Sequence, residues 1–279
     1  MQVMRSAPTD FVSGSSSRLS RWWHSKLGWR FGAELARMLG LFAVYKLVRL
    51  LAADEVGVAF DNARSVVEVE RFIGLFSEPT LQRWVLDNAT TVRFLNGYYF
   101  IAHFAVTFGV FFFLYVARPQ LYVVCRRVLI AMTAIGAFLH VLYPLAPPRM
   151  LPSLGFVDTG HLFGPSPYGA DTSAGLANQF AAMPSLHFGW SVLIAWALII
   201  GLRSRWRYLA VVHPFFTLAA IILTANHYWL DAIVALVVFS VLVSVHSSLR
   251  RRRALNGTHE SFETVPASRA PTGASPAAF

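Results

Sequence analysis

Apolar residues in this chain gather into segments near the ~20 residues a helix needs to cross a bilayer, and long runs carry no charged side chain at all. Six such segments can be drawn, at about 33–53, 97–117, 124–143, 186–202, 207–225 and 227–248. Only 14% of the 279 residues are charged, roughly half the share found in soluble domains. A water-soluble fold is thereby excluded, and an all-α, integral membrane six-helix bundle is expected.

Domain organisation follows from the same pattern. Residues 33–248 form the membrane domain, 1–32 a cytoplasmic segment that is partly disordered, and 249–279 a basic and then disordered tail. Ser13–Ser17 and Pro266–Phe279 are the small, polar stretches behind the disorder. No apolar core followed by a small-residue cleavage site marks a signal peptide in the first thirty residues. Segment 33–53 is interrupted by Glu34, Arg37, Lys46 and Arg49. It either spans, with those side chains snorkelling or facing the bundle, or lies in the interface. Between the first two segments, Val66, Val67, Phe72, Ile73, Leu75 and Phe76, then Leu81, Trp84, Val85 and Leu86, recur at helical spacing. This predicts amphipathic surface helices with a break near Pro79; a connector packed on the bundle is the plainer alternative.

The net charge of +10 is almost wholly arginine, since Lys26 and Lys46 are the only lysines. The arginines flank apolar segments instead of covering one soluble face, so they read as topology determinants and contacts for anionic headgroups, not for nucleic acid. Basic clusters stand before segment one, around the junction of two and three, between four and five (Arg203, Arg205, Arg207), and after six (Arg250–Arg253). The remaining connectors are poor in basic residues: 54–96 has seven acids against four arginines, and 144–185 has Arg149 against Asp158 and Asp171. The alternation puts both termini in the cytoplasm, and we expect a plasma-membrane protein. Cys125, the single cysteine, allows no intrachain disulfide.

Chemistry concentrates at two places. A long connector begins Tyr143-Pro144-Leu145-Ala146-Pro147-Pro148-Arg149 and ends Ala182-Met183-Pro184-Ser185-Leu186-His187 at the start of segment four. Ser185 and His187 there fall at a helix N-terminus, whose free N–H groups and dipole favour an anion. Arg149 adds a permanently charged fork suited to phosphate oxygens, or a headgroup contact. The second place is Asn226-His227-Tyr228-Trp229-Leu230-Asp231 at the start of segment six. Residues four apart share a helix face, so Asp231 can hold one ring nitrogen of His227 and leave the other as nucleophile or base; a structural His–Asp pair is the competing account. Segments four and six both run from outside to inside, which lets Arg149, Ser185, His187 and His227 meet at one depth.

These two stretches resemble the second and third motifs of the type 2 phosphatidic acid phosphatase superfamily, and Tyr143–Arg149 and Phe180–His187 look closest to its inositol-phosphorylceramide-synthase-like branch. The resemblance covers roughly residues 65–245. It implies a six-helix bundle, a lipid phosphate as substrate, and no metal or other cofactor. By motif, it makes His227 the nucleophile forming a phosphohistidine, Asp231 its orienting partner and His187 the general acid, with Ser185 and Arg149 binding phosphate oxygens. Leu142 stands where the phosphatase pattern has lysine, Leu186 where it has glycine, and Ala220 and Ile221 where it has Ser-Arg. Hydrolysis and head-group transfer are therefore both expected activities, with a non-catalytic lipid transporter or binding protein as the alternative from another class.

His103, His140 and Tyr143 are candidate pocket-lining residues, the two histidines competing with a buried hydrogen-bonded role. His213, near the cytoplasmic end of segment five, reads as structural. No His-Glu-x-x-His spacing suggests zinc, and a Ser185–His227–Asp231 hydrolase triad lacks the Gly-x-Ser-x-Gly setting. The phenylalanines, Phe111–Phe113 among them, read as lipid-facing bulk.

Overall fold

The computed structural model describes residues 26–51, 55–164 and 179–263. The disorder expected at Ser13–Ser17 and Pro266–Phe279 lies outside those residues, as do the side chains of Lys46 and Arg49. Within them every named element is a helix, and a lone parallel bridge joins Leu145 to Ala181. The helices are α1 Lys26–Leu51, α2 Val56–Phe72, α3 Glu78–Leu86, α4 Ala89–Gly97, α5 His103–Ala117, α6 Pro119–Leu142, α7 Thr159–Phe163, α8 Leu186–Gly201, α9 Val212–Leu223 and α10 Trp229–Glu263. A π-helical turn, Tyr98–Ala102, joins α4 to α5 without a break, and a 3-10 turn, Arg205–Val211, leads into α9.

Among the described residues, four helices are long and apolar enough to cross a membrane: Ala89–Ala117, Pro119–Leu142, Arg205–Leu223 and Trp229–Arg252. Their outer faces expose Phe108, Phe112, Val116, Phe138, Phe215, Val237, Val241 and Val245. So wide an apolar surface is foreign to a water-soluble monomer, and this is a membrane protein. Two of the six expected segments do not meet that measure. The apolar helix α8 has 16 residues, about 24 Å at 1.5 Å per residue, and α1 carries the charges already noted. The short α8 is nonetheless central, packed against α5, α6, α9 and α10.

The core beneath the site fills with Phe111, Leu114, Met132, Leu193, Ile194 and Phe239. Helices α6 and α8 approach closely at two glycines. A Cβ on Gly189 would come 2.5 Å from Met132 Cε, and one on Gly136 would come 2.8 Å from Leu186 Cδ2. Glu34 of α1 turns toward the bundle, pairing with Arg126 and Arg37 and accepting from the Tyr122 hydroxyl at 3.1 Å.

Several boundaries differ from those read in the sequence, each for a local reason. The second segment begins at Ala89, because Asn88 caps it by accepting from Thr91 N at 3.0 Å. His103 consequently lies mid-helix and not near an outer end. The expected break near Pro79 falls between Phe72 and Glu78, and Pro79 itself lies in the first turn of α3, where its missing N–H is no loss. The last helix runs through Arg250–Arg253 to Glu263, arginine being a good helix former. Helix α2 buries Ala59, Ala63, Val66, Val67 and Glu70 against Leu145, Ala146, Leu151, Phe156 and Phe180 of the long connector, while Phe72 is 90% and Trp84 75% exposed.

Candidate functional site

The chain reverses between α9 and α10 through Ala225, a non-glycine residue at φ 54°. That left-handed backbone costs on the order of 1–2 kcal/mol and is held by its surroundings. Asn226 N and His227 N both donate to Ile221 O, at 2.9 and 3.1 Å, and Ala225 O accepts from Arg149 N at 2.8 Å. The turn thus delivers His227 to the mouth of α10 and ties it to the connector that carries Arg149.

His227 and Asp231 are in contact, but not as two residues on one helical face. The helix begins at Trp229, so His227 precedes it and Asp231 is its third residue. Asp231 Oδ2 reaches back to accept from Tyr228 N at 2.9 Å, as the acid of a capping box does, and meets His227 Nδ1 at 3.1 Å. Oδ2 already serves as an acceptor for Tyr228 N, and the tautomer in which it also accepts from Nδ1–H leaves Nε2 with its lone pair. Asp231 is fully buried and His227 nearly so.

Ser185 caps α8, its Oγ accepting from Phe188 N at 3.4 Å, and its own N–H donates to Asp231 O at 3.1 Å. The first turns of α8 and α10 are therefore joined through backbone. His187, two residues on, has its ring centroid 6.3 Å from that of His227. One small tetrahedral group can touch both imidazoles at that separation. Arg149, 6% exposed, donates from Nη1 to Asn226 Oδ1 at 2.7 Å and from Nη2 to Gln179 Oε1 at 3.0 Å, with Asp158 Oδ2 3.7 Å from Nε. Neutral amides at Nη1 and Nη2 orient the guanidinium, and Asp158 is the carboxylate beside it.

The pocket-lining candidates separate. His103 is wholly buried and stands beside His187, ring centroids 5.0 Å apart, with Tyr99 on that imidazole at 4.3 Å. His140 Nε2 lies 3.4 Å from Pro184 O and its ring lies against Tyr45, so it supports the backbone before Ser185. The Tyr143 hydroxyl donates to Asn62 O at 3.4 Å, toward α2. His213, read as structural, stacks on His103 at 5.5 Å and has the Tyr98 hydroxyl 2.6 Å from Nδ1.

Sequence reasoning missed Gln179, Tyr228 and the pair Glu70 and Glu78. The Tyr228 hydroxyl donates to Ala146 O at 3.0 Å, and burial, then the nearby Asp231 carboxylate, hold it well above the usual phenol range. A signal for Glu70 was present, since it continues the apolar face set by Ala59, Ala63, Val66 and Val67 at helical spacing. No curated protein and no solved structure matches the chain. A family model described as the PAP2 superfamily matches residues 64–245, well over half of the chain. With that match and phosphatase- or phosphotransferase-type chemistry as its consequence, this protein belongs to the PAP2 superfamily.

Proposed function

We propose that the protein is a lipid phosphatase or phosphotransferase that works through a phosphohistidine at the non-cytoplasmic face of the plasma membrane. His227 Nε2 attacks phosphorus, the bond from phosphorus to the leaving oxygen breaks, and His187 gives that oxygen a proton. Water or an acceptor hydroxyl then takes the phosphoryl group, returning its own proton to His187. Asp231 holds Nδ1–H and stabilises the charge that grows on the ring. Arg149, Ser185 and the N-terminus of α8 bind the non-bridging oxygens, the kind of fixed electrostatic support that dominates phosphoryl transfer. The observation that carries this reading is the pair His227–Asp231 at 3.1 Å with His187 across a 6.3 Å gap.

In the membrane, α1 and α8 complete a six-span bundle over residues 33–248, with α2 and α3 on the outer surface, where Phe72 and Trp84 meet the lipid interface. The alternating basic connectors support cytoplasmic 1–32 and 249–279 segments. Transfer of a head group, as in the inositol-phosphorylceramide-synthase-like branch, is favoured by a specific observation. Ala220 and Ile221 are fully buried apolar residues and Leu142 is 63% exposed, so the phosphatase pattern's two additional cations have no counterpart at these positions.

Purified protein supplied with prenyl phosphates, phosphatidic acid and phosphoinositides tests the proposal, with His227→Ala as control. Released inorganic phosphate identifies the hydrolase; exchange of head groups without it identifies the transferase. Unchanged function in His227→Ala would overturn both and indicate a lipid transporter or binding protein.

A further inference from the structure

The first backbone N–H groups of a helix have no partner within it, and at α10 three in succession are taken by carboxylates from three different helices. Tyr228 N donates to Asp231, Trp229 N to Glu78 Oε1 at 3.3 Å, and Leu230 N to Glu70 Oε1 at 2.8 Å. Glu70 comes from α2 and Glu78 from α3, and both are fully buried. The second oxygen of Glu78 accepts from Ser77 N at 2.9 Å, and Ser77 Oγ accepts from Trp229 Nε1 at 3.1 Å. Glu70 Oε2 is buried with no hydrogen-bond donor to it among the described residues, and the Glu78 carboxyl stands beside it. Two ionised carboxylates cannot bond to one another, so one of them holds a proton. Burial first, and Glu78 second, push Glu70 far above the usual carboxylate range. Glu70 is therefore the better proton holder of the two: its Oε1 accepts from Leu230 N, and a proton on Oε2 would face Glu78.

A single Ser or Asp suffices to cap a helix. Here two long-range carboxyl groups fix the turn that follows His227 immediately and contains Asp231. We propose that Glu70 and Glu78, a buried carboxyl pair gripping the amides of Leu230 and Trp229, are positioning residues that set the depth and direction of the His227 imidazole. This inference rests on the reading of His227 as nucleophile.

The test compares Glu70→Gln, Glu70→Ala and Glu78→Gln with wild type and His227→Ala, measuring kcat, KM and thermal midpoint on a lipid phosphate. Glu70→Gln keeps both an acceptor for Leu230 N and a donor to Glu78, and is expected within about threefold of wild-type kcat. Glu70→Ala loses about ten- to hundredfold in kcat, the scale of a displaced reacting group, with KM within about twofold. Glu78→Gln sets an amide against a donor it cannot accept from at both oxygens, and falls likewise. Should Glu70→Ala not fold, Glu70→Asp, one methylene short of Leu230 N, serves in its place. Wild-type kcat in the Ala or Asp variant, or a Gln variant as impaired as either, overturns the pairing while an inactive His227→Ala leaves the catalytic reading standing. An active His227→Ala overturns that reading, and the inference with it.

Discussion

Replacing Asp231 with asparagine removes one charge and almost no volume, which makes it the sharpest probe of the proposed nucleophile. Asp231 Oδ2 serves two donors, Tyr228 N at 2.9 Å and His227 Nδ1 at 3.1 Å, while Oδ1 is buried without a partner. If the amide oxygen takes the Oδ2 place, both bonds survive as neutral ones. A hydrogen bond to a charged group contributes about 1.5–3 kcal/mol and a neutral one about 0.5–1.5 kcal/mol, so roughly 1.4 kcal/mol of support for the positive imidazole is lost, or about tenfold in rate. If the amide nitrogen takes that place instead, it donates toward Nδ1 and drives the ring proton to Nε2, blocking attack altogether. The expected fall therefore lies between about tenfold and about 10⁴-fold, the latter being the scale of a wrong ring tautomer. It belongs to formation of the phosphoenzyme, which rapid quench with radiolabelled lipid phosphate measures as acid-labile, base-stable label on histidine. Oδ1 has no partner to lose, so the thermal midpoint should move little. An asparagine variant that phosphorylates His227 at the wild-type rate would refute the reasoning.

Other outcomes follow from neighbouring groups. His187→Asn should lose about 10²- to 10⁴-fold with an alkyl leaving group, but far less with an aryl phosphate, whose phenolate departs without a proton; equal losses on both would exclude a general acid there. Because the fold keeps a proton on Glu70 that the unfolded chain releases above about pH 4.3, stability should fall as pH rises through neutrality, by at most about 1.4 kcal/mol per unit. Thermal midpoints across that range should show the slope in wild type and a flatter one in Glu70→Gln. Gly136→Ala, whose Cβ would sit 2.8 Å from Leu186 Cδ2, should destabilise by about 1–3 kcal/mol, and Leu186→Ala added to it should restore most of the loss. Purely additive midpoints would show that the two residues do not press on one another.

The sequence made some of this architecture legible and hid the rest for identifiable reasons. Charge-free runs locate four membrane-length helices because the requirement for ~20 apolar residues is local and strong. The meeting of Ser185, His187, His227 and Arg149 could be argued from strand-free topology alone, as helices that run in the same direction share an end. The manner of the His227–Asp231 contact could not. It depends on whether α10 starts two residues earlier or later, and boundaries of that size turn on caps supplied from elsewhere. Glu70 and Glu78 lie 160 and 151 positions from the amides they hold, and nothing in a local pattern pairs them. His213 and His103 meet because α4 and α5 form one long helix, which only the Asn88 cap and the unbroken π-turn reveal.

The leucine between Ser185 and His187 shows how a departure from the superfamily pattern can be accommodated. A glycine there would leave the first turn of α8 slack; Leu186 instead reaches α6, where only the bare backbone of Gly136 leaves room for it. The compensation stops at packing, however. Of the cations that the phosphatase pattern directs at phosphate, Arg149 is retained, while Leu142, Ala220 and Ile221 bring none. A phosphomonoester near neutral pH carries up to two negative charges and a phosphodiester one, and one guanidinium, held by two amides with Asp158 3.7 Å from its Nε, suits the latter better. On the proposed reading of Arg149 as a phosphate ligand, that balance weighs toward moving a phosphate-bearing head group between hydroxyls rather than stripping a terminal phosphate to water.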